Sequence, residues 1–281
     1  MKIPFAQIDA FAESPFAGNP AAVMPLRAWL GDAVLQQIAE ENNLSETAFI
    51  VPVAGSEDDG GTGADFELRW FTPGTEVVLC GHATLASGHF VLSADPSRDR
   101  VAFQTRKAGA LSVERDGAGY ALALPAWAPE PRPLPAMLAA LGIEAAVETL
   151  WHRNRYGLVV LEDEQMVRDL KPDFPALARL SGEKPDGESG EPDVLTIVTA
   201  PGRETDIVSR VFAPGAGIDE DPVTGSAHAV LVPYWAKRLG RDRFTAYQAS
   251  NRGGHLTCRL DGERVILGGK CVTVIEGEFT L

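Results

Sequence analysis

GHATLASGHFVL, residues 81–92, and GSAHAVLVPYWAKRLG, residues 225–240, decide how this chain folds. Each opens on a glycine and a polar residue, continues with small side chains, and then turns apolar on nearly every face. A helix without a polar face has nothing to offer water and is expected in the interior. Runs of strand character surround both. The pattern predicts an α+β fold of two similar domains, each a β-barrel-like sheet wrapped around a central apolar helix. The two segments match only loosely, so an internal duplication is an expectation for the structure to test.

The strands are read from alternation and from β-branched or aromatic content. IPFAQIDAF (3–11), TAFIVPV (47–53), FELRWFT (66–72), VAFQT (101–105) and ALSVER (110–115) fill the first half. YGLVVLE (156–162), DVLTIVT (193–199), DIVSRVF (206–212), HLTCRL (255–260), RVILGG (264–269) and CVTVIEGEF (271–279) repeat that character in the second. Two acidic, glycine-rich tips, GSEDDGGTGAD (55–65) and SGEKPDGESGEP (181–192), read as solvated hairpin loops. Two further helices are expected. One runs from about Asp32 to Asn42 with Val34, Leu35, Ile38 and Ala39 on one face. The other is PLPAMLAALG (133–142), with proline in its first turn and Gly142 as a stop. The proline-dense stretch AWAPEPRPLP (126–135) is the candidate linker. It divides the chain into domains 1–125 and 126–281, with the last strand a candidate to cross back to the first.

A chain of 281 residues, 45% apolar and 23% charged, is long enough for two ordinary globular domains. The start alternates like a strand and lacks the features of a signal peptide. No apolar run approaches the roughly 20 residues that span a bilayer. Three scattered cysteines without CxxC spacing argue against a disulfide framework or zinc knuckle and fit a reducing cytoplasm. The formal charge of −14 disfavours nucleic acid and anionic membrane as partners. A small anion remains admissible, because a helix N-terminus attracts a carboxylate locally whatever the net charge.

The helix starts Gly81-His82 and Gly225-Ser226 carry free N–H groups, and glycine lets a ligand come close to the backbone. A tight strand-to-helix turn explains either one alone. Two in one chain, each opening an apolar helix, favour a pair that faces one cleft and holds a carboxylate there. GIDEDPVTGSAHA (217–229) places Asp219, Glu220 and Asp221 ahead of the second start, either as a solvated acidic loop or with at least one half-buried. Glu46 begins a strand and shares a face with Ala48 and Ile50. Desolvation there would raise its pKa toward general acid/base work, whereas at a strand end it would simply meet water. His82 and His89 stand seven apart on one helix without an HExxH motif or a matching acidic ligand, so no metal is expected. Cys80 reads as a small buried residue, since Val223-Thr224 stands where a two-thiol racemase needs its second cysteine. Trp70 and Phe71 serve either to dry a site or to pack the core. Nucleotide-binding and GxSxG motifs are absent.

Taken together, the segments DAFAESPFAGNPAAV (9–23), NLSETAFIV (43–51), LRWFTPGTEVVLCGHATLASGHFV (68–91), GIDEDPVTGSAHAVLVPYW (217–235), YQASNRGGHLTCRL (247–260) and VILGGKCVTVIEGEF (265–279) resemble the PhzF family of phenazine-biosynthesis-like isomerases. The resemblance implies the diaminopimelate-epimerase-like fold with a cleft between two barrel-and-helix domains. It implies Glu46 as general acid/base, Asp221 and His82 as groups that polarise and orient the substrate, and Gly81, Gly225 and Ser226 as holders of its carboxylate. It also implies a homodimer. Only Cys80 matches one of the two catalytic cysteines of the related epimerases, which disfavours a two-thiol mechanism.

The resulting expectation is a cofactor-independent isomerase that moves a proton between carbons of a small unsaturated carboxylic acid. Its rivals are a two-base amino-acid racemase or epimerase and a non-catalytic carboxylate-binding or interaction protein.

Overall fold

In the computed structural model, residues 81–94 form the first of the two apolar helices, and Gly81 through Gly88 are all buried. Residues 1–53, 63–182 and 194–281 are described. Strands Lys2–Ala10, Asn19–Pro25, Glu46–Pro52, Arg100–Thr105, Ala110–Asp116 and Cys271–Thr280 all pack on this helix. That is the wrapped arrangement expected of an all-apolar helix. Its composition permits the fit: a Cβ on Gly88 would lie 2.4–2.8 Å from the Val113 side chain. The buried hydroxyls of Thr84 and Ser87 donate to the Cys80 and Ala83 carbonyls one turn back, so no polar atom of theirs is stranded.

The chain divides into two units, Met1–Leu124 with Ile266–Leu281, and Pro125–Val265. In the first, Lys2–Ala10 pairs antiparallel with Asn19–Pro25, which runs parallel to Glu46–Pro52. That strand is antiparallel to Phe66–Phe71, which is parallel to Arg100–Thr105 and carries the short antiparallel strand Glu76–Val77. Arg100–Thr105 pairs antiparallel with Ala110–Asp116.

The second unit repeats the series step for step. Glu148–His152 is antiparallel to Tyr156–Val160, which is parallel to Leu195–Pro201. Leu195–Pro201 is antiparallel to Ile207–Ala213, which is parallel to Arg243–Gln248 and carries the short strand Ile218–Asp221. Arg243–Gln248 pairs antiparallel with Gly254–Asp261. The internal duplication is thus present in the topology. Parallel neighbours need a crossover, and each crossover holds helix. Asp32–Asn42 fills the first crossover of one unit, and Glu164–Arg168 with Phe174–Gly182 fill that of the other. Gly81–Ala94 and Gly225–Leu239 occupy the two second crossovers.

Several local readings change. Asn19–Pro25, Gly119–Pro125, Glu148–His152 and Arg243–Gln248 are strands that the alternation rule passed over, and Glu164–Arg168 and Phe174–Gly182 are additional helices. Asp219, Glu220 and Asp221 lie in a strand rather than a loop. The first acidic tip falls mostly outside the described residues, between antiparallel strands. The second also falls mostly outside them, between a helix and a strand, so it does not join a hairpin. No described helix is long and apolar enough to cross a membrane.

The proline-dense stretch is built into the second unit. Pro233, inside the Gly225–Leu239 helix, has no N–H for the Ala229 carbonyl four residues back. The Trp127 N–H takes that carbonyl at 2.9 Å, and the Trp127 ring stacks on His152. A helix-breaking residue therefore provides the docking point for the segment that begins the unit.

Two features of the fold carry measurable consequences. Phe16 has φ 73°, in the left-handed region that bulky side chains avoid, while its ring is 77% exposed. The buried Asp9 carboxylate accepts its N–H at 2.9 Å and holds the loop in place. Phe16→Gly relieves this strain and sacrifices little burial. After allowance for glycine's greater unfolded-chain entropy, it should stabilise the protein by about 0.5–1 kcal/mol in denaturant titration, whereas Phe16→Ala, which keeps a Cβ, should not.

His228 is fully buried on the second apolar helix, and burial pushes its pKa down to about 4. Its Nδ1–H donates to the Thr224 carbonyl at 2.8 Å. The neutral ring in the folded state faces an unfolded state that binds a proton below about pH 6.5. Stability from this group is therefore complete above that pH and is lost as pH falls toward 4. Between pH 7.5 and 4.5 the loss should reach roughly 2.5 kcal/mol. Urea unfolding at the two values should show this component in the wild type but not in His228→Asn, whose amide can still donate to Thr224.

Candidate active site

Three chain segments separated by tens of residues converge at the start of the Gly81–Ala94 helix. Strands Asn19–Pro25 and Glu46–Pro52 run parallel with Ala21 opposite Glu46, so their first residues share one end of the sheet. His82, the second residue of the helix, is buried at that end. Its Nε2 lies 3.0 Å from Glu46 Oε2, and its Nδ1 lies 3.2 Å from Asn19 Nδ2 and 3.5 Å from Cys80 Sγ. Glu46 keeps 14% of its side-chain surface exposed against 4% for His82, so it is the member of the pair that an incoming molecule can reach. The Glu46 and His82 atoms meet at ion-pair distance but off hydrogen-bond alignment, and neither has another hydrogen-bond partner among the described residues.

The electrostatics follow from burial and from charge. Burial, reinforced by the Glu46 carboxylate, pushes the Cys80 thiol up to about 11, so the sulfur stays protonated near neutral pH. Burial also opposes charge on the His82 ring. The Cys80 sulfur, as an acceptor beside Nδ1, and the Glu46 carboxylate beside Nε2 outweigh that and hold its proton affinity well above the ordinary imidazole value. One donor atom each from Glu46, Cys80 and His82 lies within 4.8 Å of the others, a grouping that could also hold a metal ion.

The loop from Thr72 to Cys80, which delivers the helix start, is clamped at its base. Arg69, with 4% of its side chain exposed, makes a two-pronged contact to Glu76 at 2.7 and 2.9 Å and a third to Asp32 at 2.9 Å. Its guanidinium holds the Glu76 carboxyl below the usual carboxylate range and packs on Trp29 and Phe71. Phe71 belongs to the core under helix Asp32–Asn42, with Phe49, Leu35 and Ile38. Trp70 is buried as well. His89 is engaged elsewhere, with the Tyr120 hydroxyl at 3.0 Å and the Thr273 hydroxyl at 2.9 Å, so it does not pair with His82.

In the second unit the equivalent helix begins at Gly225, with Thr224 as its cap residue. Neither Cys80 nor Thr224 uses its side chain to take up an N–H of the helix it precedes. Asp221 is half-buried, and its carboxylate accepts the Thr224 hydroxyl. Fully buried Gln248 ties this turn together. Its amide donates to the Asp221 carbonyl at 2.7 Å and the Thr224 hydroxyl at 3.1 Å, and its oxygen accepts the Thr224 N–H at 2.9 Å. Ser250 donates to the Pro222 carbonyl at 2.8 Å. Of the acidic trio, Glu220 is half-buried against Arg210 at 2.7 Å, and Asp219 is exposed. Ser226 is half-buried in the first turn.

The structure thus gathers Glu46 and His82 with Gly81 in one unit, and Asp221 with Gly225 and Ser226 in the other. Asn19 and Gln248 were not singled out from sequence. Asn19 sits within the quoted DAFAESPFAGNPAAV segment and Gln248 within YQASNRGGHLTCRL, and those segments were the only signal available for them.

Comparison with known proteins completes the picture. The profile of the family described as phenazine biosynthesis-like protein, PhzC-PhzF, matches residues 8–277. An uncharacterized isomerase of Pseudomonas aeruginosa is 48% identical over 283 residues, with all of both chains covered. A crystal structure of a PhzF-family phenazine biosynthesis protein from Enterococcus faecalis superposes with a TM-score of 0.85 at 44% identity, again over the whole of both chains. A hydroxyproline epimerase from Agrobacterium vitis, at 11% identity and a TM-score of 0.62, covers 99% of this chain and 92% of its own and shares the fold. With a repeated barrel-and-helix unit, a Glu46–His82 pair at one helix start and a family match along nearly its whole length, the chain belongs to the PhzF family of phenazine biosynthesis-like proteins.

Proposed function

We propose that the protein is a cofactor-independent isomerase that moves a proton between carbons of a small unsaturated carboxylic acid, with Glu46 as general acid/base. The observation that carries this reading is the placement of the Glu46 carboxylate: partly buried, reachable, and 3.0 Å from His82 at the start of a buried helix. A base that takes a proton from one carbon and returns it to another must itself stay in place between the two steps. Strand pairing fixes the backbone of Glu46, and His82 fixes its side chain.

Charge then develops on the substrate as an enolate-like anion. Fixed N–H dipoles at the helix start, and the proton-retaining His82 ring, would stabilise that charge without reorganising. The family resemblance assigns Gly81, Gly225 and Ser226 to the substrate carboxylate and Asp221 to polarising the substrate. Support for that assignment lies within each unit: both helices open on glycine without a side-chain cap, and Gln248 and Thr224 hold the Asp221 turn rigid. Cys80, a protonated thiol, is poorly suited to act as a second base, which favours one-base transfer over the two-base racemase.

The test is a panel of β,γ-unsaturated carboxylates followed by proton NMR in deuterated water. On the substrate that turns over, Glu46→Gln should lower kcat by about 10²–10⁴-fold while ligand binding persists, and unchanged activity contradicts the reading. One-base transfer also predicts that part of the migrating hydrogen comes from substrate. Complete solvent labelling with inversion of a stereocentre would instead support the two-base alternative.

A further inference from the structure

The sequence offered His82 no acidic partner for metal binding, yet folding brings Glu46 to one side of its ring and Cys80 to the other. We propose that Glu46, Cys80 and His82 form an inhibitory site for a borderline-soft divalent cation, Zn²⁺ being the fitting member, which takes over the very group that the proposed isomerisation needs as its base. The inference rests on that reading for its inhibitory effect but not for the binding itself.

The donor set argues for the class of ion. A thiol sulfur, an imidazole nitrogen and one carboxylate oxygen suit zinc, whereas magnesium and calcium demand oxygen shells. The donors come from two elements whose backbones are fixed by packing: the end of a sheet for Glu46, and a helix start and its cap for His82 and Cys80. They lie within 4.8 Å of one another. Glu46 Oε2 and His82 Nε2, 3.0 Å apart, are both buried, and neither has a hydrogen-bond partner among the described residues. Two adjacent buried polar atoms left in this state are what a cation between them would satisfy.

The geometry asks for movement chiefly at Cys80, whose sulfur contacts Nδ1 while Glu46 contacts Nε2. Zinc bonds of about 2.0–2.3 Å place tetrahedral donors about 3.3–3.7 Å apart. The Glu46–His82 pair would open slightly, and the Cys80 side chain, which sits beside Nδ1, would rotate past the ring edge to reach a metal on Nε2. On binding, the thiol S–H and the His82 Nε2–H bonds break and both protons leave to solvent, so that a thiolate and a neutral imidazole become the ligands. Asn19, at His82 Nδ1, stands where an outer partner orients a ligating imidazole, its amide oxygen accepting the Nδ1 proton once the amide is turned. Three protein ligands leave a fourth position open, and a Glu46 carboxylate bound to the cation through its buried Oε2 is a much weaker base at its remaining oxygen.

Zinc chloride titrated calorimetrically into the metal-free protein, in a non-coordinating buffer, tests the site. One ion per chain is expected, with magnesium chloride giving no binding. Cys80→Ser should weaken zinc binding about tenfold or more, and Glu46→Gln likewise. His255→Gln, which removes an exposed histidine on another strand, should not. Cobalt(II) in place of zinc should give a thiolate charge-transfer absorption in the wild type that Cys80→Ser abolishes. Absence of stoichiometric binding, or binding and absorption indifferent to Cys80→Ser, overturns the proposal. Stoichiometric zinc should block turnover, and chelation should restore it; binding without inhibition overturns the inhibitory role. If Glu46→Gln instead weakens zinc binding yet leaves turnover intact, the acid/base reading fails while the metal site stands.

Discussion

The contact between the His82 ring and the Glu46 carboxylate depends on a helix that can only exist buried, and most of the first unit is arranged to bury it. Small residues along residues 81–88 let strands approach from several sides, and Gly88 brings the helix against Val113 closely enough that even a methyl group would clash. Once the helix is fixed in that position, its second residue has nowhere to go but the end of the sheet where Asn19 and Glu46 begin their strands. The site is a by-product of packing made specific by three side chains. Its charge balance follows: a buried imidazole would ordinarily shed its proton, and here the neighbouring carboxylate helps to reverse that tendency.

The second unit shows how much of this is architecture and how much is chemistry. It repeats the same order of parallel and antiparallel pairs and places a second buried helix in the same crossover, yet its helix start holds Thr224, Gly225 and Ser226 where the first has Cys80, Gly81 and His82. One turn further on, Thr84 and His228 return the same hydrogen bond to the carbonyl of their cap residues. The backbone device is shared, and the ionisable group is not. One unit presents an acid/base pair, the other a rigid turn of hydroxyl, amide and a half-buried aspartate.

What the sequence disclosed follows from the range of each interaction. Ala110–Asp116 and Gly254–Asp261 alternate because one face meets the core, and the two apolar helices announce themselves by lacking a polar face. Asn19–Pro25 does not alternate because it is buried on both faces, and its small residues and prolines mask its strand character. The Phe174–Gly182 helix was missed behind a proline at its second position. Glu46, His82 and Asp221 became candidates chiefly through family resemblance. Local chemistry alone left Glu46 between a base and a rim residue, because the partner that decides the matter is 36 positions away. Gln248 is invisible for the same reason, its partners lying 24 and 27 positions away, and Arg69 in part, since it ties nearby Glu76 to Asp32, 37 positions back.

The central claim is that Glu46 and His82 act as one coupled unit. Nitrogen-15 NMR of the His82 ring across pH, in the wild type and in Glu46→Gln, tests it most directly. The account predicts a ring that keeps its proton well above the ordinary imidazole range in the wild type and gives it up at distinctly lower pH once the carboxylate is gone. A His82 titration that is ordinary in the wild type, or unmoved by loss of the Glu46 charge, would contradict it.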